Sequence, residues 1–345
     1  MKVAIDISAM DSQSKGRGIG FYTENLIKAL RKYTDWEVCI LENKNEKIEA
    51  DVIHFPFFDF FRPTLNVNSH IPTVVTIHDV IPLLFPTHYP SGLKGKVNLL
   101  RQKLSLRKVK AIITDSKTST QDAIKVFNLP KAKVFTVYLS QADHFKPLPL
   151  PEVERIRLKY QLPKNFVIYT GGVNWNKNLV RMTQAVIDAE VPLVLVGGGF
   201  ETKGDLNHPE LNPFREFKEK YSNHPGVKIL GFIPNEDLVG LMNAAQALIL
   251  VSHYEGFGLP VLEAQACKTA VITSNNSSLK EVVGDGGIIV DSAVGSEITD
   301  AVIKLQEAEY RKGLIKKGTE NLSRFSWEKT AQDTVKVYEY AISQK

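Results

Sequence analysis

Two acids eight positions apart, Glu255 and Glu263, frame the run Glu-Gly-Phe-Gly-Leu-Pro-Val-Leu-Glu. Pro260 suits the first position of a helix, and the free amides and positive dipole end of that helix then point back across Gly256, Phe257, Gly258 and Leu259. Glycines there let a ligand approach the backbone closely, which makes the turn a ready site for a diphosphate. A carboxylate on either side suits neighbouring hydroxyl pairs, because hydrogen bonds to a charged acceptor contribute roughly 1.5–3 kcal/mol each. The spacing therefore fits a ligand with phosphates in the middle and hydroxyls at both ends, as in a sugar joined to a nucleoside diphosphate. Glu255 would hold the sugar and Glu263 the ribose. Taken singly, Glu255 is also a favourable charge near a helix start, and Glu263 an ordinary helix residue.

Such a turn has to be delivered by a strand and anchored in a sheet. The run "ALILVS" leads into it, and short apolar runs of the same kind recur along the whole chain. "KVAIDI", "EVCIL", "DVIHF", "TVVTIHD", "AIIT" and "KVFTV" alternate with helical patterns in the first half, and "FVIYTGG", "LVLVGGG", "VKILGF", "ALILVS", "AVITS" and "GIIV" in the second. Strands separated by helices imply parallel sheets covered on both faces. Between the halves, Pro147, Pro149, Pro151 and Pro163 surround a short charged helix that reads as a connector. A chain of 345 residues with 43% hydrophobic content has more than one core to organise. The expected fold class is α/β, with two doubly wound parallel-sheet domains at 1–160 and 161–325 and a C-terminal helix, 326–345, packing back on the first. The carboxyl ends of two such sheets facing each other make a cleft of the kind where ligands bind.

Charge and composition narrow the function further. The net charge of +5 is modest, but Lys94 to Lys110 carries seven basic residues, and no acid occurs between Asp79 and Asp115. Leucines and valines recur through that stretch at near-helical spacing, giving a basic amphipathic helix. It is either a solvated face opposite a buried one or a surface that meets anionic lipid headgroups. Nucleic acid is not expected as a partner, because no aromatic residues interleave with the charges. Cys39 and Cys267 suggest neither a disulfide framework nor a metal site. No apolar run approaches the roughly 18 to 20 residues of a membrane-spanning helix, and "MKVAIDIS" reads as a first strand and not as a signal peptide. The expected location is the cytoplasm, with peripheral contact at the inner face of the cytoplasmic membrane.

The chain resembles the retaining nucleotide-sugar glycosyltransferases of family 4, whose two-domain fold is GT-B, and the likeness extends over essentially the whole chain. "EGFGLPVLE" matches that family's Glu-x7-Glu signature, which implies the sugar role for Glu255 and the ribose role for Glu263. "KGRGIGFYTENLIKAL" places Gly16, Gly18 and Gly20 where the family has a glycine loop near donor phosphates and acceptor. "TIHDVIPLLFP" matches its His-Asp pair, which implies that His78 binds the transferred sugar or its leaving oxygen while Asp79 orients the ring. In "YTGGVNWNKNLVRM", Lys177 corresponds to the lysine that neutralises the donor diphosphate, so that no metal cofactor is needed. The arginine usual in the family is absent and Gly172 stands in its place, leaving Arg181, another cation or the helix amides to compensate.

The resemblance implies a metal-independent hexosyltransferase that retains anomeric configuration. Its partners would be a nucleotide sugar and a glycan or lipid-linked oligosaccharide acceptor. "TIHDVIPLLFP" looks most like transferases of bacterial surface polysaccharide and lipopolysaccharide synthesis, which favours mannose and GDP-mannose as the donor. Two other readings stay open: a nucleotide-sugar epimerase of the same fold, and an inactive partner protein that binds nucleotide or lipid. A dinucleotide oxidoreductase is disfavoured, because the glycine spacing is not G-x-G-x-x-G.

Overall fold

The computed structural model describes residues 1–7, 18–42, 49–65, 67, 70–204 and 206–344. Among these, strands β1 (Lys2–Asp6), β2 (Glu37–Leu41), β3 (Val52–Phe55), β4 (Thr73–Thr76), β5 (Ala111–Thr114) and β6 (Val134–Thr136) form one sheet in the order β2-β1-β3-β4-β5-β6. Every pairing in it is parallel. The central strands β3, β4 and β5 are buried at every position. Strands covered on both faces read as β-branched runs without polar alternation, as "TVVT" and "AIIT" do. The helix Gly18–Tyr33 buries Tyr22, Leu26, Ile27 and Leu30 at helical spacing.

A second sheet holds β7 (Val167–Thr170), β8 (Leu193–Val196), β9 (Val227–Gly231), β10 (Ala247–Leu250), β11 (Ala270–Ser274) and β12 (Ile288–Val290), all parallel, in the order β12-β11-β10-β7-β8-β9. The chain enters at β7, builds outward to β9, then returns to build β10 to β12 on the other side. The strand order therefore reverses between β7 and β10, and loops that leave the carboxyl ends of those two strands diverge and open a crevice.

Residue contacts divide the chain into Met1–Ser140 with Phe325–Lys345, and Gln141–Arg324. The division falls at residue 140 and not at 160, because the proline-flanked helix Leu150–Lys159 belongs to the second unit. It packs on the helix Asn235–Ala244, where Asp237 Oδ2 accepts from Lys159 Nζ and from Tyr160 Oη, each at 2.5 Å. The C-terminal helix Trp327–Ser343 is capped by Ser326 Oγ, which accepts from Lys329 N at 3.1 Å, and packs on the helix Gly18–Tyr33. Its buried Tyr338 hydroxyl lies 2.7 Å from His54 Nδ1; His54 Nε2 lies 2.8 Å from Thr76 Oγ1, which in turn is 3.0 Å from the Tyr22 hydroxyl. Burial, helped by the charge of His78, pushes His54 down to about 3, so its ring stays neutral in this chain of polar groups.

The basic helix spans Gly92–Lys108, and of the two readings of its spacing the one that buries the leucine stripe does not hold. Leu93, Val97, Leu100 and Leu104 are exposed, while Asn98, Gln102 and Leu106 are buried. Asn98 Nδ2 donates to Phe61 O at 2.8 Å, and Gln102 Nε2 reaches Asp59 O at 2.7 Å and Arg62 O at 2.9 Å. Carbonyls of the segment after β3 thus take donors from the inner face of the helix. A buried polar group without a partner costs about 1–3 kcal/mol, comparable to what burying a leucine returns, so satisfying several carbonyls decides the rotation. No described helix is long and apolar enough to cross a membrane.

Candidate active site

The second unit carries most of the sequence-predicted site. Past β7, the loop through Gly171 and Gly172 ends in a single 3-10 turn, Trp175–Lys177; past β10, the chain runs through Ser252 and Glu255 into the helix Leu259–Ala266. Asparagines stitch these two loops together. Asn176 O accepts from His253 N at 2.7 Å and Asn176 Nδ2 donates to Tyr254 O at 2.9 Å. Asn178 Nδ2 bridges Val251 O and Ser292 O at 3.0 and 2.9 Å, and the Trp175 ring stacks on His253 at 5.0 Å. The consequence is a fixed meeting of Lys177 with Glu255: Lys177 Nζ and Ser252 Oγ both donate to Glu255 Oε1 at 2.7 Å. Glu255 is only 8% exposed. Among the described residues its second oxygen, Oε2, has no partner.

The helix start is built so that its carbonyls are held from behind. Ser278 Oγ lies 2.9 Å from both Glu255 O and Phe257 O, and Glu255 N donates to Ser277 Oγ at 3.0 Å. Gly258 caps the helix with φ of +106°, and a Cβ there would lie 2.6 Å from Leu279 Cδ2, so the position requires glycine on both counts. Pro260 consequently takes the second helical position and not the first. Val261 N closes back on Gly258 O at 3.0 Å. Among the described residues the amides of Gly258 and Leu259 have no acceptor, and both residues, like Gly256, are only partly buried. Phe257 contributes backbone alone, since its side chain is in the core.

Glu263 sits one turn inside that helix and partly buried, and no hydrogen bond or ion pair from a described residue reaches its carboxylate. Burial pushes this carboxyl up to about 7. Gly172 has its carbonyl fixed by the Tyr169 hydroxyl at 2.6 Å, and a Cβ on it would meet nothing closer than Asn174 Oδ1 at 3.6 Å. The site therefore has room for the side chain it lacks. Arg181 does not fill that room: its Nη1 is directed at Ser292 O, 3.2 Å away, and Asn178 Oδ1, 3.4 Å away. Nearby, a Cβ on Gly197 would collide with the Gly171 carbonyl oxygen, so the ends of β7 and β8 can approach only with glycine there.

In the first unit, His78 lies just past β4 with Asp79 beside it. The ring of His78 is oriented by Asp115, whose Oδ2 is 2.7 Å from Nδ1, and by Pro56 O, 3.0 Å from Nε2. Asp79 Oδ1 accepts from Ile81 N, the first residue of the short helix that follows, at 2.9 Å. Both ring nitrogens face pure acceptors, which suits a doubly protonated ring. Burial opposes that charge, yet the charge and hydrogen bond of Asp115, with Asp79 and the Pro56 carbonyl, outweigh it and leave His78 above its ordinary value. Both ring nitrogens are thus already engaged within the first unit. The second oxygen of Asp115, Oδ1, is buried with no partner among the described residues. Asp115 was missed in the sequence, although register could have found it: Thr76 pairs with Ile113, so two residues further on His78 comes opposite Asp115. Gly18 and Gly20 form the first turn of the helix Gly18–Tyr33 and not a loop, and Gly16 lies outside the described residues.

The chain matches the models for glycosyl transferases group 1 over residues 152–321 and for glycosyltransferase family 4 over residues 36–139. It is 30% identical over 273 residues to the O-antigen chain mannosyltransferase B of Escherichia coli, covering 77% of this chain and 69% of that one. The serotype-specific mannosyltransferase WbdA of Escherichia coli is 27% identical over 75% of this chain, which corresponds to 32% of its own length. Among solved structures, sucrose-phosphate synthase from Thermosynechococcus elongatus superposes with a TM-score of 0.74 at 18% identity, over 100% of both chains. Two Rossmann-like parallel sheets, a glutamate pair spanning an open helix start and these likenesses agree: the chain belongs to the group 1 and family 4 glycosyltransferases and has the GT-B fold.

Proposed function

We propose that this glycosyltransferase moves a hexose, mannose in preference, from a nucleoside diphosphate donor to a glycan or lipid-linked acceptor in surface polysaccharide synthesis, with retention of configuration. The observation that carries the reading is the pairing of Lys177 with Glu255 beside the open amides of Gly258 and Leu259, with Glu263 unpaired one turn further on. Donor binding exchanges partners. The diphosphate takes Lys177 and the two amides, Glu255 accepts from sugar hydroxyls, and Glu263 accepts from the ribose.

As the bond from C1 to the phosphate oxygen breaks, negative charge builds on the departing diphosphate, and Lys177 with the helix amides stabilises it more than in the ground state. The acceptor hydroxyl attacks from the same face: its oxygen bonds to C1 and its proton passes to the departing phosphate oxygen. Turnover in this scheme needs no divalent metal. The preference for mannose and for GDP-mannose draws on the likeness to the O-antigen chain mannosyltransferase.

A thermal-shift panel of nucleoside diphosphates and their sugars tests the donor, since a ligand that binds only the folded form raises its melting point. Incubation of the stabilising donor with acceptor, followed by NMR of the new linkage, should show the donor's anomeric configuration kept and no loss of rate with EDTA. An inverted linkage would reject same-face attack. Consumption of donor without acceptor, with epimerised sugar released, would favour an epimerase instead.

A further inference from the structure

The helix Gly92–Lys108 turns its apolar stripe away from the protein, and we propose that this stripe lies in the interfacial zone of an anionic lipid bilayer. At 3.6 residues per turn, Leu93, Val97, Leu100 and Leu104 fall within an arc of about 60°. They are 84, 52, 62 and 51% exposed. On the same wheel, Lys94, Arg101 and Lys108 run along one edge of the stripe and Lys96, Lys103 and Arg107 along the other. The inner face is locked by the bonds from Asn98 and Gln102 to the segment after β3, so the stripe is presented without any rotation of the helix.

Charge selects the occupant. A second copy of this chain would bring the same basic rows against each other, whereas anionic headgroups neutralise both rows at once while the leucines enter the acyl boundary. The helix is 17 residues long and too polar to span, so it lies in the plane of the interface. This places a basic, apolar docking face on the unit that also holds His78, where a lipid-linked acceptor would be presented.

The test is co-sedimentation of the full chain with phosphatidylcholine vesicles, with and without a quarter of phosphatidylglycerol. It uses no sugar nucleotide, so its outcome is separate from that of the transfer reaction. Wild type should bind the anionic vesicles at least about ten-fold better than the neutral ones, and less well as salt rises. Leu100→Asp with Leu104→Asp should lower that binding by at least about ten-fold with an unchanged melting temperature, because both side chains are already in water. Lys96→Gln with Lys103→Gln and Arg107→Gln should weaken binding to anionic vesicles alone. Equal binding to both vesicle types, or wild-type binding by the double aspartate variant, overturns the proposal. So does a wild-type dimer that the aspartates dissociate while no vesicle is bound, which would assign the stripe to a second copy.

Discussion

Glu255 and Lys177 pair with each other at 2.7 Å, so in the proposed reaction a diphosphate would have to part them, with an ease that depends on what other cations stand nearby. Gly172 leaves room for one. Gly172→Arg should tighten binding of a nucleoside diphosphate by about three- to ten-fold, the scale of one added charge-assisted bond in a half-exposed site, as isothermal titration would measure. Glu263 carries the clearest pH signature of the site. Burial holds its carboxyl up at about 7 in the folded chain, against about 4.5 when unfolded, so the native state holds a proton that the unfolded state has lost between those values. Stability from this group is therefore greatest below 4.5 and falls as pH rises toward 7. Glu263→Gln should raise stability at pH 8 by on the order of 2 kcal/mol and by much less at pH 5, while weakening nucleotide binding, as chemical denaturation and titration at the two pH values will show. His78 has the same sense: its raised value means that stability from the charged ring is present below 6.5 and lost as pH climbs through the folded value. Asp115→Asn should lower the NMR titration midpoint of the His78 ring, because Asn supplies a hydrogen-bonding group without the charge. An unmoved midpoint would mean that Asp79 or the Pro56 carbonyl sets it.

At the scale of elements, the strands were legible because parallel strands buried on both faces leave unbroken β-branched runs, and the helix start was legible because glycine, proline and flanking acids are local signals. Three features were not local. Asp115 meets His78 through the register of β4 and β5, which no window of sequence displays. The basic helix is rotated by acceptors on another element: Asn98 bonds a carbonyl 37 positions away and Gln102 one 43 positions away, so periodicity alone left open which face the leucines take. The boundary at residue 140 was hidden in the same way, since the proline-rich stretch looks like a linker until Asp237 is seen holding Lys159 and Tyr160. These observations give a test that separates pattern from structure. Gln102→Leu would extend the apolar face if periodicity decided the packing, but here it strands the carbonyls of Asp59 and Arg62 and should cost about 2–3 kcal/mol in urea denaturation.

Across the molecule, each unit is an α/β layer whose chemistry-bearing loops leave the carboxyl ends of parallel strands. The C-terminal helix returns to the first unit through Tyr338 and His54, while the donor-type site is assembled within the second unit from the β7 and β10 loops. In the proposed reaction, Lys177 and the helix amides hold the diphosphate, and Glu255 holds the sugar. Glu255 is thus needed for transfer but not for nucleotide binding, since removing it releases Lys177 to the phosphates. The most direct measurement is the rate of nucleoside diphosphate release from the donor by wild type and Glu255→Gln, alongside the nucleoside diphosphate affinity of each. The expected result is a fall in turnover of about 100-fold or more, with affinity unchanged or tighter. Wild-type turnover in Glu255→Gln, or loss of nucleotide affinity equal to the loss of turnover, would contradict the division of labour between this acid and this lysine.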